Sequence, residues 1–173
     1  MNHKALIARL DAFVAAIPAA LGKISAEDAA WKPPTGAWSI VEIVNHLVDE
    51  EKEDFRQRLQ LTLQNPAQPW PPTDPEAWAV QRKYAGRDLW ESVGRFIVER
   101  KRSLEWLATL PDDTNWNAAH TTMSGKVMRA GDLLASWAAH DALHLRQIAK
   151  RLFELSQRDG TGFGTEYAGE WRA

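Results

Sequence analysis

The stretch Trp38-Ser-Ile-Val-Glu-Ile-Val-Asn-His-Leu-Val-Asp-Glu-Glu-Lys-Glu-Asp-Phe-Arg-Gln-Arg-Leu59 decides the architecture. Ser39 and Glu42 form a capping box: the hydroxyl accepts from the amide three residues on, and the carboxylate reaches back to the cap amide. Ile40, Ile43, Val44, Leu47, Phe55 and Leu59 then recur at helical spacing, so a helix begins at Ser39 and stops before Pro66. His46 sits in this helix one turn past Ile43. Glu42, Asp49, Glu50 and Glu53 lie one or two turns from it on overlapping faces.

The same periodicity appears on both sides of this helix. Leu6, Leu10, Phe13, Val14, Ile17 and Leu21 predict a first helix over Lys4–Leu21, kinked or ended at Pro18, which has no amide hydrogen to donate. Ser25-Ala-Glu-Asp28 predicts a short capped turn, and Lys32-Pro-Pro-Thr-Gly36 excludes regular structure. After helix two, Asn65–Pro75 is proline-rich and predicts a stiff irregular loop, and Asp74-Pro75 starts a short helix over Glu76–Lys83. Asp88-Leu-Trp-Glu91 predicts a second capping box, followed by the buried face Leu89, Val93, Phe96, Ile97, Leu104 and Leu107, with Pro111 closing helix three. Asp112–Arg129 reads as a long irregular loop with a turn at Ser124-Gly125. Leu133, Leu134, Trp137, Leu145, Ile148 and Leu152 give helix four over Asp132–Leu155. The glycine-rich tail Arg158–Ala173 reads as a docked or mobile arm. Four amphipathic helices and almost no alternating strand pattern predict an all-α fold, a four-helix bundle with long irregular connections that need not run simply up and down.

The 173 residues suit a single domain spanning 1–173, and hydrophobic content of 45% with 25% charged residues is ordinary for a globular chain. Net charge is -2 and the basic residues do not cluster, which argues against a nucleic-acid partner. No apolar run reaches the length of a membrane span, and Met1–Leu10 does not read as a signal peptide, so the expected location is cytoplasmic. There is no cysteine, so any metal must be held by imidazole and oxygen ligands. The nine tryptophans read mainly as core and loop-packing residues.

Of the five histidines, His140 and His144 are four apart in helix four and so share a face, about 5–6 Å between Cβ atoms. Two imidazoles so placed can share one metal ion. They interrupt the apolar stripe of Leu133, Trp137 and Ile148 and point toward the core, where bare imidazoles are costly. The alternative is a pair of histidines hydrogen-bonded to backbone or carboxylate. Whether His46 joins them depends on where helix four lies. His120 reads as an exposed loop residue and His3 as solvated.

Two blocks carry a resemblance to a known family: Trp38–Glu51, and His140-Asp-Ala-Leu-His-Leu-Arg-Gln-Ile148. A Trp-Ser entry to helix two, a His-Leu midway along it, and a late His-x-x-x-His followed by Gln-Ile stand here in the order found in the DinB-like or YfiT-like metalloenzymes. Helix order and lengths are similar over most of the chain, excluding the tail. The resemblance implies a four-helix bundle with a metal triad of His46, His140 and His144, holding zinc or nickel, with iron also compatible. It implies a small-molecule substrate, a low-molecular-weight thiol for those relatives that are S-transferases, and a homodimer.

Three neutral imidazoles leave open positions on a metal, the arrangement of catalytic sites as opposed to closed structural ones. Such a site activates water for hydrolysis or a thiolate for transfer. Glu50, one turn beyond His46, is the first candidate for a general base and Asp49 the second, against the alternative that Asp49–Asp54 is a solvated acidic face. Asp141 and Gln147 are candidates to orient the ligand histidines. The expected function is therefore a metal-dependent hydrolase or thiol S-transferase. The alternative is a non-catalytic, metal-stabilised stress-response or binding domain.

Overall fold

A computed structural model describes residues 1–171 of the chain. Helix α1 spans His3–Leu21, and a short α2 spans Ala26–Ala30 behind the Ser25 cap. Helix α3, Ile40–Asp49, opens on the complete Ser39–Glu42 capping box. It passes without a break into a π-helical segment, Glu50–Phe55, and then into α4, Arg56–Gln64. Helix α5, Pro75–Gln81, starts at the Asp74 cap, and a single 3-10 turn covers Tyr84–Gly86. Helix α6 spans Leu89–Ala108 and α7 spans Ala130–Asp159.

Helix α1 packs against α6 and α7, and α3 packs against the same two. The first two long helices in the chain are therefore diagonal in the four-helix bundle, an order other than simple up-and-down, which the long connections left open. One apolar cluster joins Phe13, Ile17, Ile40, Ile43, Val44, Leu47, Val93, Phe96 and Ile148. A second joins Leu10, Leu59, Leu107, Leu133, Leu134 and Trp137. Arg100, 1% exposed, bridges the two, its guanidinium lying over Phe96, Phe13 and Trp137. It forks onto both carboxylate oxygens of Asp141 (2.6 and 2.9 Å) and also meets Glu51 at 2.8 Å. The Trp137 indole donates to the same Glu51 oxygen at 2.9 Å.

Several expectations need correction. Helix α1 continues through Pro18 to Leu21, because only one turn follows the proline and the Gly22 amide still donates to the Pro18 carbonyl at 3.1 Å. Asp88 caps the Glu91 amide, so the cap forms as read, but the reciprocal contact from Glu91 is not among its hydrogen bonds. The region 112–129 is not wholly irregular. Strands β1 (Ala119–Thr121) and β2 (Val127–Arg129) pair antiparallel around a turn in which Gly125 adopts φ 82°, a conformation that favours glycine. Helix α7 begins two residues before Asp132 and ends four after Leu155. In the tail, Trp171 meets the Phe153 ring at 5.7 Å while Phe163 and Tyr167 are exposed, and Arg172 and Ala173 lie outside the described residues. No helix among the described residues is long and apolar enough to cross a membrane.

Candidate metal centre

His46 comes from the last turn of α3, and His140 and His144 from the middle of α7, where the two helices pack. Their Nε2 atoms converge: His46 to His144 at 3.1 Å and His144 to His140 at 2.9 Å. One ligand atom from each lies within 4.8 Å of the others, which makes a set that could hold a metal ion. Three nitrogens on a tetrahedral zinc ion sit about 3.3 Å apart, given Zn–N bonds of about 2.0–2.1 Å. The two separations that involve His144 are therefore within a few tenths of an ångström of that geometry.

The protons argue the same way. Gln147 Oε1 lies 2.8 Å from His144 Nδ1 and accepts its proton, which leaves His144 Nε2 as a bare lone pair. Two further imidazole nitrogens face that lone pair at hydrogen-bond distance. A cation satisfies all three at once. Burial, and then the neighbouring His144 and His140, push the His46 ring down to about 2. Burial, His144 and Arg100 bring His140 down to about 3, and burial also lowers His144. All three rings are thus neutral at pH 7, the form that ligates metal. Trp38 packs on the His46 ring at 5.0 Å and Phe55 on the His140 ring at 4.9 Å, fixing both rings from the apolar side.

Glu50 is 5% exposed, and its Oε1 makes no hydrogen bond. It faces His46 Nδ1, 4.0 Å away, also buried and also without a partner. Nδ1 is the ring nitrogen on the side away from the cluster. Burial, with the Asp54 carboxyl next in weight, pushes Glu50 up to about 8. Glu50 is thus a buried acid that keeps its proton at neutral pH.

The other expected residues fall differently. Asp49 is buried and engaged, accepting from the Tyr84 hydroxyl and pairing with Arg82 at 2.8 Å, so it is not free to act as a base. The acidic run is not a solvated face, because Asp49, Glu50 and Glu51 are all buried. Asp141 is held by Arg100. Of the two expected orienting residues, only Gln147 bonds a histidine of the cluster directly. His120 is not an exposed loop residue: at 5% exposure it stacks on Trp70 at 4.4 Å and sits 2.9 Å from the Pro66 carbonyl. His3 is half-buried and stacks on Trp116 at 5.4 Å.

A surface cleft of about 430 Å³ adjoins the cluster, lined by Gly36, Ala37, Trp38, Ile43, Glu76, Gln147 and Arg151. Trp38 and Gln147 thus touch both the cleft and a histidine of the cluster. Sequence reasoning missed Arg151. The available signal was its place on the helical face of His144, seven residues on, inside an apolar stripe.

The sequence profile of the DinB superfamily matches residues 9–148, a span that includes all three histidines. No curated protein matches the chain. Among solved structures, YfiT from Bacillus subtilis superposes with a TM-score of 0.76 at 20% identity, over 91% of this chain and 87% of that one. That protein is described as a probable metal-dependent hydrolase with an unusual four-helix bundle topology.

Proposed function

Because the chain belongs to the DinB superfamily, we propose that it is a metal-dependent hydrolase of a small molecule, with one divalent ion held by His46, His140 and His144. The observation that carries this reading is the convergence within 4.8 Å of three neutral imidazole nitrogens, from the buried His46 and His144 and the half-buried His140. Imidazole donors suit zinc or nickel, with iron also compatible. An ion with three protein ligands supplies Lewis-acid activation at the positions left open.

The chain's own residues do the rest. Gln147 holds His144 in the tautomer with Nε2 bare. Glu50, whose nearest oxygen faces His46 Nδ1, is assigned the same duty for His46 and acts as a positioning residue, not as the general base. Trp38 and Phe55 pack on the His46 and His140 rings and hold them in place. The adjoining cleft favours catalysis over a purely structural metal, which needs no such approach.

Protein reconstituted with zinc or nickel and screened against ester, amide and lactone panels tests this reading. One metal per chain and hydrolysis lost in both His140→Ala and His144→Ala are expected. A thiol-plus-electrophile arm covers S-transfer. Hydrolysis that survives in both variants contradicts the proposal.

A further inference from the structure

Arg151 belongs neither to the ion network of the core nor to the histidine cluster. Its residue exposure is 5%, yet it lines the cleft beside Trp38 and Gln147. Its Nε and Nη1 make no hydrogen bond. The carboxylate that neutralises it is Glu154, with Oε2 at 2.9 Å from Nη1 but without hydrogen-bond geometry. A largely desolvated guanidinium with unsatisfied donors is unfavourable, and an anion entering the cleft relieves it. Moving off Glu154 breaks no hydrogen bond.

The rest of the cleft describes what the anion is attached to. Ala37, Trp38 and Ile43 supply an apolar wall. Arg151 lies seven residues past His144 on α7, about 10 Å of helix rise. Glu76 lines the same cleft and Glu154 flanks the guanidinium, so a dianion meets more repulsion than a monoanion.

We propose that Arg151 is the anion-recognising residue of the cleft, and that the substrate is a small organic carboxylate with an apolar body. The proposal rests on the hydrolase reading for the destination of the substrate's other end. The carboxylate engages Arg151, the apolar body lies along Trp38 and Ile43, and the reactive group reaches the histidines.

The test titrates zinc-loaded and chelator-treated protein with phenylacetate, phenylacetamide and phenyl phosphate, following the Trp38 indole by heteronuclear NMR. Phenylacetate is expected to bind about tenfold or more tightly than the amide, with or without metal. Arg151→Gln should erase that preference, and Glu154→Gln should strengthen phenylacetate binding. Equal binding of acid and amide overturns the proposal, as does tighter binding of phenyl phosphate. So does a preference that survives Arg151→Gln, or one lost in His144→Ala alone, since the carboxylate would then sit on the ion. Should Arg151→Gln fail to fold, unchanged affinity in Glu154→Gln overturns it. Carboxylate preference in a protein that binds no zinc leaves Arg151 in place and removes the hydrolase reading instead.

Discussion

At the scale of single residues, the centre is defined by which nitrogen each proton occupies. Gln147 settles this for His144 through a bond of 2.8 Å, whereas His46 Nδ1 and Glu50 Oε1 stand 4.0 Å apart, each without a partner. If Glu50 positions His46, Glu50→Gln lowers zinc affinity about 10–100-fold in chelator competition. A base would instead lose turnover at unchanged affinity. The metal-free protein should also titrate in a characteristic way. His46 and His140 have folded values near 2 and 3 against 6.5 unfolded, so the unfolded chain takes up protons that the folded one refuses, and stability is lost as pH falls below 6.5. Glu50, raised from 4.5 to about 8, works in the opposite sense: its contribution is lost as pH rises through that window. Between 4.5 and 6.5 the three lowered histidines outnumber the two raised acids, Glu50 and Asp141, and above 6.5 the acids act without them. The melting temperature of chelator-treated protein should therefore peak near pH 6.5, and Glu50→Gln should flatten the alkaline decline. A wild-type curve still rising from pH 6.5 to 8 contradicts the assignment. His140 and His144 were legible in sequence because i and i+4 share a helical face. Glu50's burial was not, because a run of acids reads as a solvated surface until a neighbouring helix covers it.

At the scale of elements, the helix from Ile40 to Gln64 organises the site. Its start was legible from Ser39 and Glu42, and the full capping box is present. Ser39→Ala should destabilise the protein by about 1 kcal/mol in denaturant unfolding, since the cap hydroxyl then no longer meets the Glu42 amide. The π-helical turn at Glu50–Phe55 was not legible. Nothing in a hydrophobic stripe records a one-residue change in hydrogen-bond register, and such turns frequently mark functional sites. Here it follows His46 by one turn and ends on Phe55, and both of these residues pack against the histidines of α7. The β1–β2 hairpin was missed for a different reason. Its strands are three residues each, too short for an alternating pattern to emerge.

At the scale of the whole molecule, a bundle with α1 and α3 on the diagonal brings α3 against α7 and so joins His46 to a pair nearly a hundred residues away. Helix number and class were legible from periodicity. The pairing of helices was not, since an apolar stripe does not say which neighbour it meets, and here the family resemblance supplied the triad. The buried Arg100–Glu51–Asp141 group spans the two apolar clusters directly behind the site. Arg100→Ala leaves two carboxylates unpaired in the core and should cost about 3–5 kcal/mol in denaturant unfolding, more than a surface ion pair. A cost below about 1 kcal/mol would mean that the group is solvated. The account as a whole turns on the three imidazoles sharing one ion. X-ray absorption of the stoichiometric zinc complex tests this directly: the account predicts three imidazole nitrogens at about 2.0–2.1 Å, falling to two in His46→Ala. A shell of oxygen ligands only, or one unchanged by that substitution, contradicts it.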